Sequence, residues 1–241
     1  MSFENYTNCV FEAFKSHPKA IDVINKKKEI LASVGEFHNF VPNSILYIGF
    51  NPGILSDNTK SKFVTEISKE ALEFLHSKKI QCEFIPAAHL NNFYKKFDVV
   101  VALDEYFTFA KSDLEQKNTV ANICKLAKEY VITTCKDYKN QDFKEREFST
   151  PALIRGNENS IYLEFHDHNV EDRNSWTTKV FGIVGDQLSV HGPYARRFMF
   201  FKQLAKFSAD AGAVGFTIHK NLMYKSLIKK NYEHVISIQF E

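Results

Sequence analysis

Ser44-Ile45-Leu46-Tyr47-Ile48-Gly49-Phe50-Asn51-Pro52-Gly53-Ile54-Leu55 reads as a short apolar strand running straight into a turn bracketed by two glycines. Glycine has no side chain and enters dihedrals closed to other residues, so such a turn lets backbone lie directly against a ligand. Phe63-Val64-Thr65-Glu66-Ile67-Ser68 follows as a second short strand with a carboxylate at its end. In nucleotide-binding α/β folds a carboxylate there accepts hydrogen bonds from ribose hydroxyls; the same residue also suits the N-terminus of a helix beginning near Lys69.

Working outward, strands and helices alternate from Ser44 onward, the pattern of a mostly parallel, Rossmann-like sheet with helices on both faces. A helix is expected over Lys69 to Lys79 and a third strand over Gln81 to Ile85. The near-continuous β-branched run Phe97-Asp98-Val99-Val100-Val101-Ala102-Leu103 predicts a central strand buried on both faces. Asp113 to Glu129 reads as a helix burying Leu114, Val120, Ile123, Cys124, Leu126 and Ala127, and Tyr130 to Cys135 as a fifth strand. Residues 1–43 form an N-terminal helical segment, with a helix over Lys19 to Gly35 whose apolar face is Ile21, Ile24, Leu31 and Val34 and whose stop is Gly35. Residues 44–241 form the α/β domain, carrying an insertion over about 136–192 in which Ile161 to His166 and Thr177 to Val184 pair antiparallel. An aromatic helix from Ala195 to Ala211 and two last strands, Val214 to His219 and His234 to Phe240, complete the chain.

Thirty-one basic and twenty-nine acidic side chains leave a formal charge of +2, too near neutrality for a nucleic-acid or anionic-membrane footprint. A small-molecule substrate fits better. Cys9, Cys82, Cys124 and Cys135 are widely spaced without a C-x-x-C pair, so neither a zinc ribbon nor a disulfide framework is indicated. No apolar run reaches the length of a membrane span and the first residues lack a secretory pattern; the expected location is cytoplasmic.

Asp104-Glu105-Tyr106-Phe107 sits at the carboxyl end of the central strand, where ligands bind in open α/β sheets. An acid there orients a nucleophile or takes its proton, and an aromatic shelters a cation; the alternative is a helix cap beside packed rings. His166-Asp167-His168 places two imidazoles on one strand face, with His191 later. A metal site needs three or four convergent ligands and no third is assignable, so these read as solvated or hydrogen-bonded histidines, one of them a candidate general base. Arg196-Arg197 suits recognition of an acceptor carboxylate or phosphate, or a solvated helix face.

Together, the strand and turn over residues 45–53, Glu66, the buried strand 97–101, and the late helix, Gly212 and two final strands resemble the class I S-adenosylmethionine-dependent methyltransferases of small-molecule type. Tyr47 stands where that family usually carries an acid. The resemblance implies S-adenosylmethionine as cofactor, cradled by Gly49, Phe50, Asn51, Pro52 and Gly53, with Glu66 on its ribose and Leu103 beneath it. Methyl transfer to an oxygen or nitrogen of a small-molecule acceptor follows, with Asp104, Tyr106, His166 or His191 facing that acceptor. Two alternatives stand beside it. One is an NAD-dependent oxidoreductase, although Gly49 to Gly53 does not reproduce G-x-G-x-x-G. The other is a catalytically inactive methyltransferase-fold binding module, which Tyr47 and Ala87-Ala88 favour.

Overall fold

Valines at 99, 100 and 101 point alternately to the two faces of one sheet and are all buried, which is why their run shows no polar alternation. The computed structural model describes residues 3–16, 18, 19, 30–55, 57, 59–66, 68–85, 87–138, 145–149, 151–155, 159–225, 227, 228 and 232–241. In chain order it contains helices α1 (Phe3–Ser16) and α2 (Ile30–His38), strands β1 (Ser44–Ile48) and β2 (Ser61–Glu66), helix α3 (Lys69–Ser77), and strands β3 (Gln81–Phe84) and β4 (Phe97–Ala102). Helix α4 (Asp113–Leu126) leads into β5 (Ala127–Cys135). Five strands follow, β6 (Arg146–Phe148), β7 (Ala152–Ile154), β8 (Ser160–His168), β9 (Ser175–Val184) and β10 (Gln187–Arg197), then helix α5 (Phe201–Asp210), β11 (Gly215–Tyr224) and β12 (Glu233–Gln239).

Seven strands form the main sheet in the order β11-β12-β5-β4-β1-β2-β3. The five from β5 to β3 run parallel, while β12 is antiparallel to both β5 and β11. Strands β6 to β10 make a separate antiparallel sheet. Helix α1 docks between the two, placing Phe11 and Phe14 against Phe50 and Phe74 with ring centroids 5.0 to 5.7 Å apart.

Several expected boundaries move, each for a local reason. Of the helix expected over 19–35, residues 20–29 lie outside those described; the described part continues past Gly35 to His38. Gly35 is a contact residue and not the stop. Its carbonyl accepts from the Phe40 N–H at 2.8 Å, and a Cβ there would come within 2.5 Å of the Phe40 carbonyl oxygen. Helix α4 ends three residues early, at Leu126, and Leu114 faces water while Gln116 is buried. The Gln116 amide donates to the carbonyls of Phe107, Arg197 and Phe198, so a polar side chain there pins the helix to the second sheet. The segment read as the start of an aromatic helix is the end of β10, since Ala195, Arg196 and Arg197 pair with Thr177, Trp176 and Ser175; helix α5 begins only at Phe201. Strand β11 runs to Tyr224 through an irregularity between His219 and Met223.

The link from β1 to β2 holds a 3-10 turn, Pro52–Leu55, and no α-helix among its described residues. It is held to the sheet by Lys62, whose ammonium donates to the carbonyls of Asp57 at 2.5 Å and Ile54 at 3.4 Å. That thin link leaves space over the face of β1.

Candidate active site

A cavity of about 720 Å³ occupies this space. Its floor is Tyr47, Val101 and Leu103 from β1 and the end of β4; one wall is α2 with residues 39–43, and the other is Asn51, Asp57, Thr59 and Lys60. Tyr224, from the far end of β11, closes one side. Strand β1 pairs with β2 on one side and β4 on the other, so the cavity lies where the strand order reverses, the place at which open α/β sheets bind ligands.

The polar groups on its walls are organised. Tyr47 donates its hydroxyl to Asp57 Oδ2 at 3.0 Å, while Asp57 Oδ1 accepts from the Thr59 N–H and hydroxyl at 2.9 and 2.7 Å. A carboxylate has about four acceptor positions, so Asp57 keeps capacity for a ligand. Burial and the neighbouring Asp57 hold the Tyr47 phenol well above its usual range, so it stays a donor. Asn51 donates to the Tyr224 hydroxyl at 2.8 Å, which donates in turn to Asp104 Oδ2 at 3.2 Å. This chain ties the turn after β1 to the end of β4. Asp104 and Glu105 both have left-handed backbone, with φ of 59° and 55°, a conformation that costs non-glycine residues energy and clusters at functional sites.

Beyond that turn lies a buried ionic seam between the two sheets. Glu105 accepts from Arg196 at 3.2 Å, from Tyr138, and faces Lys136 at 3.4 Å. The Arg196 guanidinium also donates to the Thr108 hydroxyl at 2.9 Å and lies over the rings of Phe109 and Trp176. Arg197 pairs with Asp113 and Asp172. The two arginines are therefore structural fasteners in this fold, already occupied, and do not offer themselves to an acceptor.

No protein-family model and no curated protein matches the chain. Solved structures do. The crystal structure of DesVI from Streptomyces venezuelae superposes with a TM-score of 0.72 at 11% identity, covering 97% of this chain and 98% of that one. An S-adenosylmethionine-dependent methyltransferase from Clostridium acetobutylicum gives 0.66 at 12%, covering 97% and 98%, and the sugar N-methyltransferase KedS8 from a Streptoalloteichus species gives 0.65 at 9%, covering 95% and 91%. The fold is that of the class I methyltransferases.

Within this methyltransferase fold, two of the residues expected at a cofactor, Asn51 and Leu103, line the cavity. Gly49, Phe50, Pro52 and Gly53 do not. Phe50 turns the other way into the rings of Phe11, Phe14 and Phe74. The N–H groups of the turn are largely spent on protein: Gly49 donates to the Thr65 carbonyl, Gly53 to the Asn51 side chain and Ile54 to the Asn51 carbonyl. Glu66 ends β2, and its side chain lies outside what the structure describes; Ser68 caps α3 instead, accepting from the Ala71 N–H at 3.2 Å.

The four residues expected to face an acceptor are not brought together around the cavity. Asp104 does not line it and accepts from the hydroxyl of Tyr224, which does, and Tyr106 is buried against Phe107. His166 lies on β8, its Nδ1 3.0 Å from the Thr178 hydroxyl, and burial pushes its pKa down to about 4. His191, on β10, faces α1, where hydrogen bonds with Cys9 and then Glu12 raise it to about 10. Neither imidazole is poised near neutrality for proton transfer. Among the described residues no group of three His, Cys, Asp or Glu is placed to hold a metal ion. The sequence reading missed Asp57 and Tyr224. Asp57-Asn58-Thr59 carries an Asx-turn signal that could have drawn attention to the first; Tyr224 follows an irregularity in β11 and carries no such signal.

Proposed function

We propose that the protein transfers the sulfonium methyl of S-adenosylmethionine to an oxygen or nitrogen of a small molecule, and that the donor sits in the cavity between α2 and the β1–β2 link. The observation that carries this reading is the cavity itself, about 720 Å³ over the β1–β4 switch point of a methyltransferase fold. That volume is within the range of about 300–1,000 Å³ usual for ligand pockets. The donor set suits the molecule: Asp57 and Glu36 provide acceptors for an ammonium and for hydroxyls, and the apolar floor of Val101 and Leu103 provides a surface for a purine. Asp57, which accepts from the Tyr47 hydroxyl, takes the place of the acid that β1 lacks.

When bound, the cofactor supplies a methyl group on positive sulfur. The residues of this chain then have little chemistry of their own to perform. Asp57, Asn51 and Leu103 orient the donor, Tyr224 and Asp104 fix the end of β4 beside it, and α2 excludes water. No residue needs to form a covalent bond. Incubation with S-adenosylmethionine and panels of small amines and alcohols, read as release of S-adenosylhomocysteine, tests the reaction. Acceptor-dependent release that falls at least about tenfold in Asp57→Ala supports it, as expected when a charged hydrogen-bond partner worth roughly 1.5–3 kcal/mol is lost. Donor binding with no release for any acceptor favours the second reading, a binding module without turnover, to which the spent N–H groups of the 49–53 turn belong. The dinucleotide alternative lacks the helix N-terminus after β1 that receives a pyrophosphate, since the described residues there form only a 3-10 turn.

A further inference from the structure

Behind the cavity wall, two histidines from different elements meet on one hydroxyl. His38 ends α2 and His219 lies in β11, and their Nε2 atoms stand 2.9 and 2.8 Å from the same Ser237 oxygen on β12. The three groups join α2 to the two strands at one edge of the main sheet. Ser237 is 1% exposed, and Phe37 packs over the junction with its ring centroid 4.9 Å from that of His38 and 5.0 Å from that of His219. Helix α2 rests besides on apolar contacts of Leu31 and Val34 with the core.

A serine hydroxyl has one proton to give and two positions that accept, while a neutral imidazole carries either a donor or an acceptor at Nε2. With both rings neutral the junction satisfies itself. One Nε2–H donates to the hydroxyl, and the hydroxyl donates to the bare Nε2 of the other ring. A ring charged on both nitrogens can only donate. Once both are charged, the buried hydroxyl proton has lost the ring that accepted it, and two like charges meet on one oxygen with ring centroids 5.9 Å apart.

The surrounding charges do not offset this. Glu36 on α2 is two residues from His38, a spacing that sets it on another side of the helix, where it lines the cavity. On β5, Tyr130 lies 4.6 Å from the His38 ring, a phenol that burial and then Glu129 hold above its usual range, and Glu129 itself is exposed. Lys220 follows His219 on β11 and adds positive charge. On β12, His234 meets Phe201, and Glu233, about 13 Å along the strand from Ser237, accepts from Thr134. Among the described residues the histidines that meet carboxylates are His166, His168 and His191. Burial lowers the pKa of both His38 and His219, and His38 lowers that of His219 further.

We propose that His38 and His219 are positioning residues for the cavity: with Ser237 they form a proton-sensitive clasp that holds α2 on the sheet while both rings are neutral and releases it as they become charged. Because the docked state favours neutral rings, the contribution of the clasp is complete above about pH 6.5 and fades as the pH falls below it. Release withdraws Leu31, Gly35 and Glu36, and the cavity loses a wall. That a methyl donor is lost with the wall rests on the function proposed above; the clasp itself does not.

Hydrogen exchange at the amides of α2, followed by mass spectrometry from about pH 8 to 5 and corrected for the intrinsic rate, tests the clasp without a ligand. The expected protection is level above about pH 6.5 and falls at least about tenfold by about pH 5, ahead of any loss in α4. His38→Gln and His219→Gln keep an amide near each Nε2 and remove its titration; each makes the fall shallower, and the double variant abolishes it. His76→Gln, at an exposed position of α3, leaves the profile unchanged. Should the variants fail to fold, the unaltered chain decides by whether α2 opens before α4. Calorimetric affinity for S-adenosylmethionine weakens over the same interval, and does so less in the double variant. The proposal is overturned if protection of α2 is flat with pH, if it falls only together with that of α4, or if the double variant falls as steeply as the unaltered chain. The exchange profile expected here, found without donor binding at any pH, supports the clasp and counts against the methyltransfer reading alone.

Discussion

Arg196 shows how one residue can be misread from sequence and still decide the structure. Adjacent arginines beside an aromatic run suggest a helix face open to an anion; in the fold the first is buried with its charge against Glu105 and its plane against Phe109. Removing one member of a buried ion pair strands the other. Arg196→Ala is therefore expected to lower unfolding stability by about 3–5 kcal/mol in urea titrations, whereas Arg196→Met with Glu105→Gln recovers part of that loss; a single-variant change below about 1 kcal/mol would mean the pair is hydrated. His191 and His166 act on stability with opposite sign. His191 is raised to about 10 in the fold, so its contribution is complete below about pH 6.5 and fades as pH climbs toward 10. His166, lowered to about 4, is favoured neutral, so its contribution is present above about 6.5 and fades as pH falls toward 4. Melting temperatures of His191→Gln measured from pH 6 to 10 should accordingly fall less steeply than those of the unaltered protein, and parallel curves would show that His191 titrates normally.

At the scale of elements, α2 and the thin β1–β2 link together make the cavity. Gly35 sets how closely residues 39–43 return against α2, because the chain at Phe40 passes too close to tolerate a Cβ. Gly35→Ala should cost about 1–3 kcal/mol by overpacking and weaken donor binding as residues 39–43 shift, both readable in one set of urea and calorimetric titrations; unchanged values in both would show that the contact relaxes freely. These elements also mark how far the sequence could be read. Strands β1, β4 and β5 were legible because burial on both faces writes long apolar runs, and α4 because Ser112 supplies its cap by accepting from the Glu115 N–H. The end of β10 was not legible. Pro193 and the phenylalanines after it mimic a helix start, and only pairing with Ser175 to Thr177, a non-local fact, makes Ala195 to Arg197 a strand.

Across the whole molecule, the order of strands and helices was enough to suggest a methyltransferase-like architecture, because alternating elements and a buried central run constrain topology strongly. The site was legible only in part. Asn51 and Leu103 belong to the local pattern and Asp57 to an Asx turn that is legible nearby, but Tyr224 arrives from β11, and no local pattern announces a contact made at such separation. The same long-range closure moves the proposed cofactor from the glycine turn to the face of β1 beside it. Calorimetric titration of the purified protein with S-adenosylmethionine, S-adenosylhomocysteine and NAD tests that placement most directly. Micromolar binding of both sulfur nucleosides, none of NAD, and at least about a tenfold weaker affinity in Asp57→Ala are expected; no heat with either sulfur nucleoside, or affinity indifferent to Asp57, would contradict the placement.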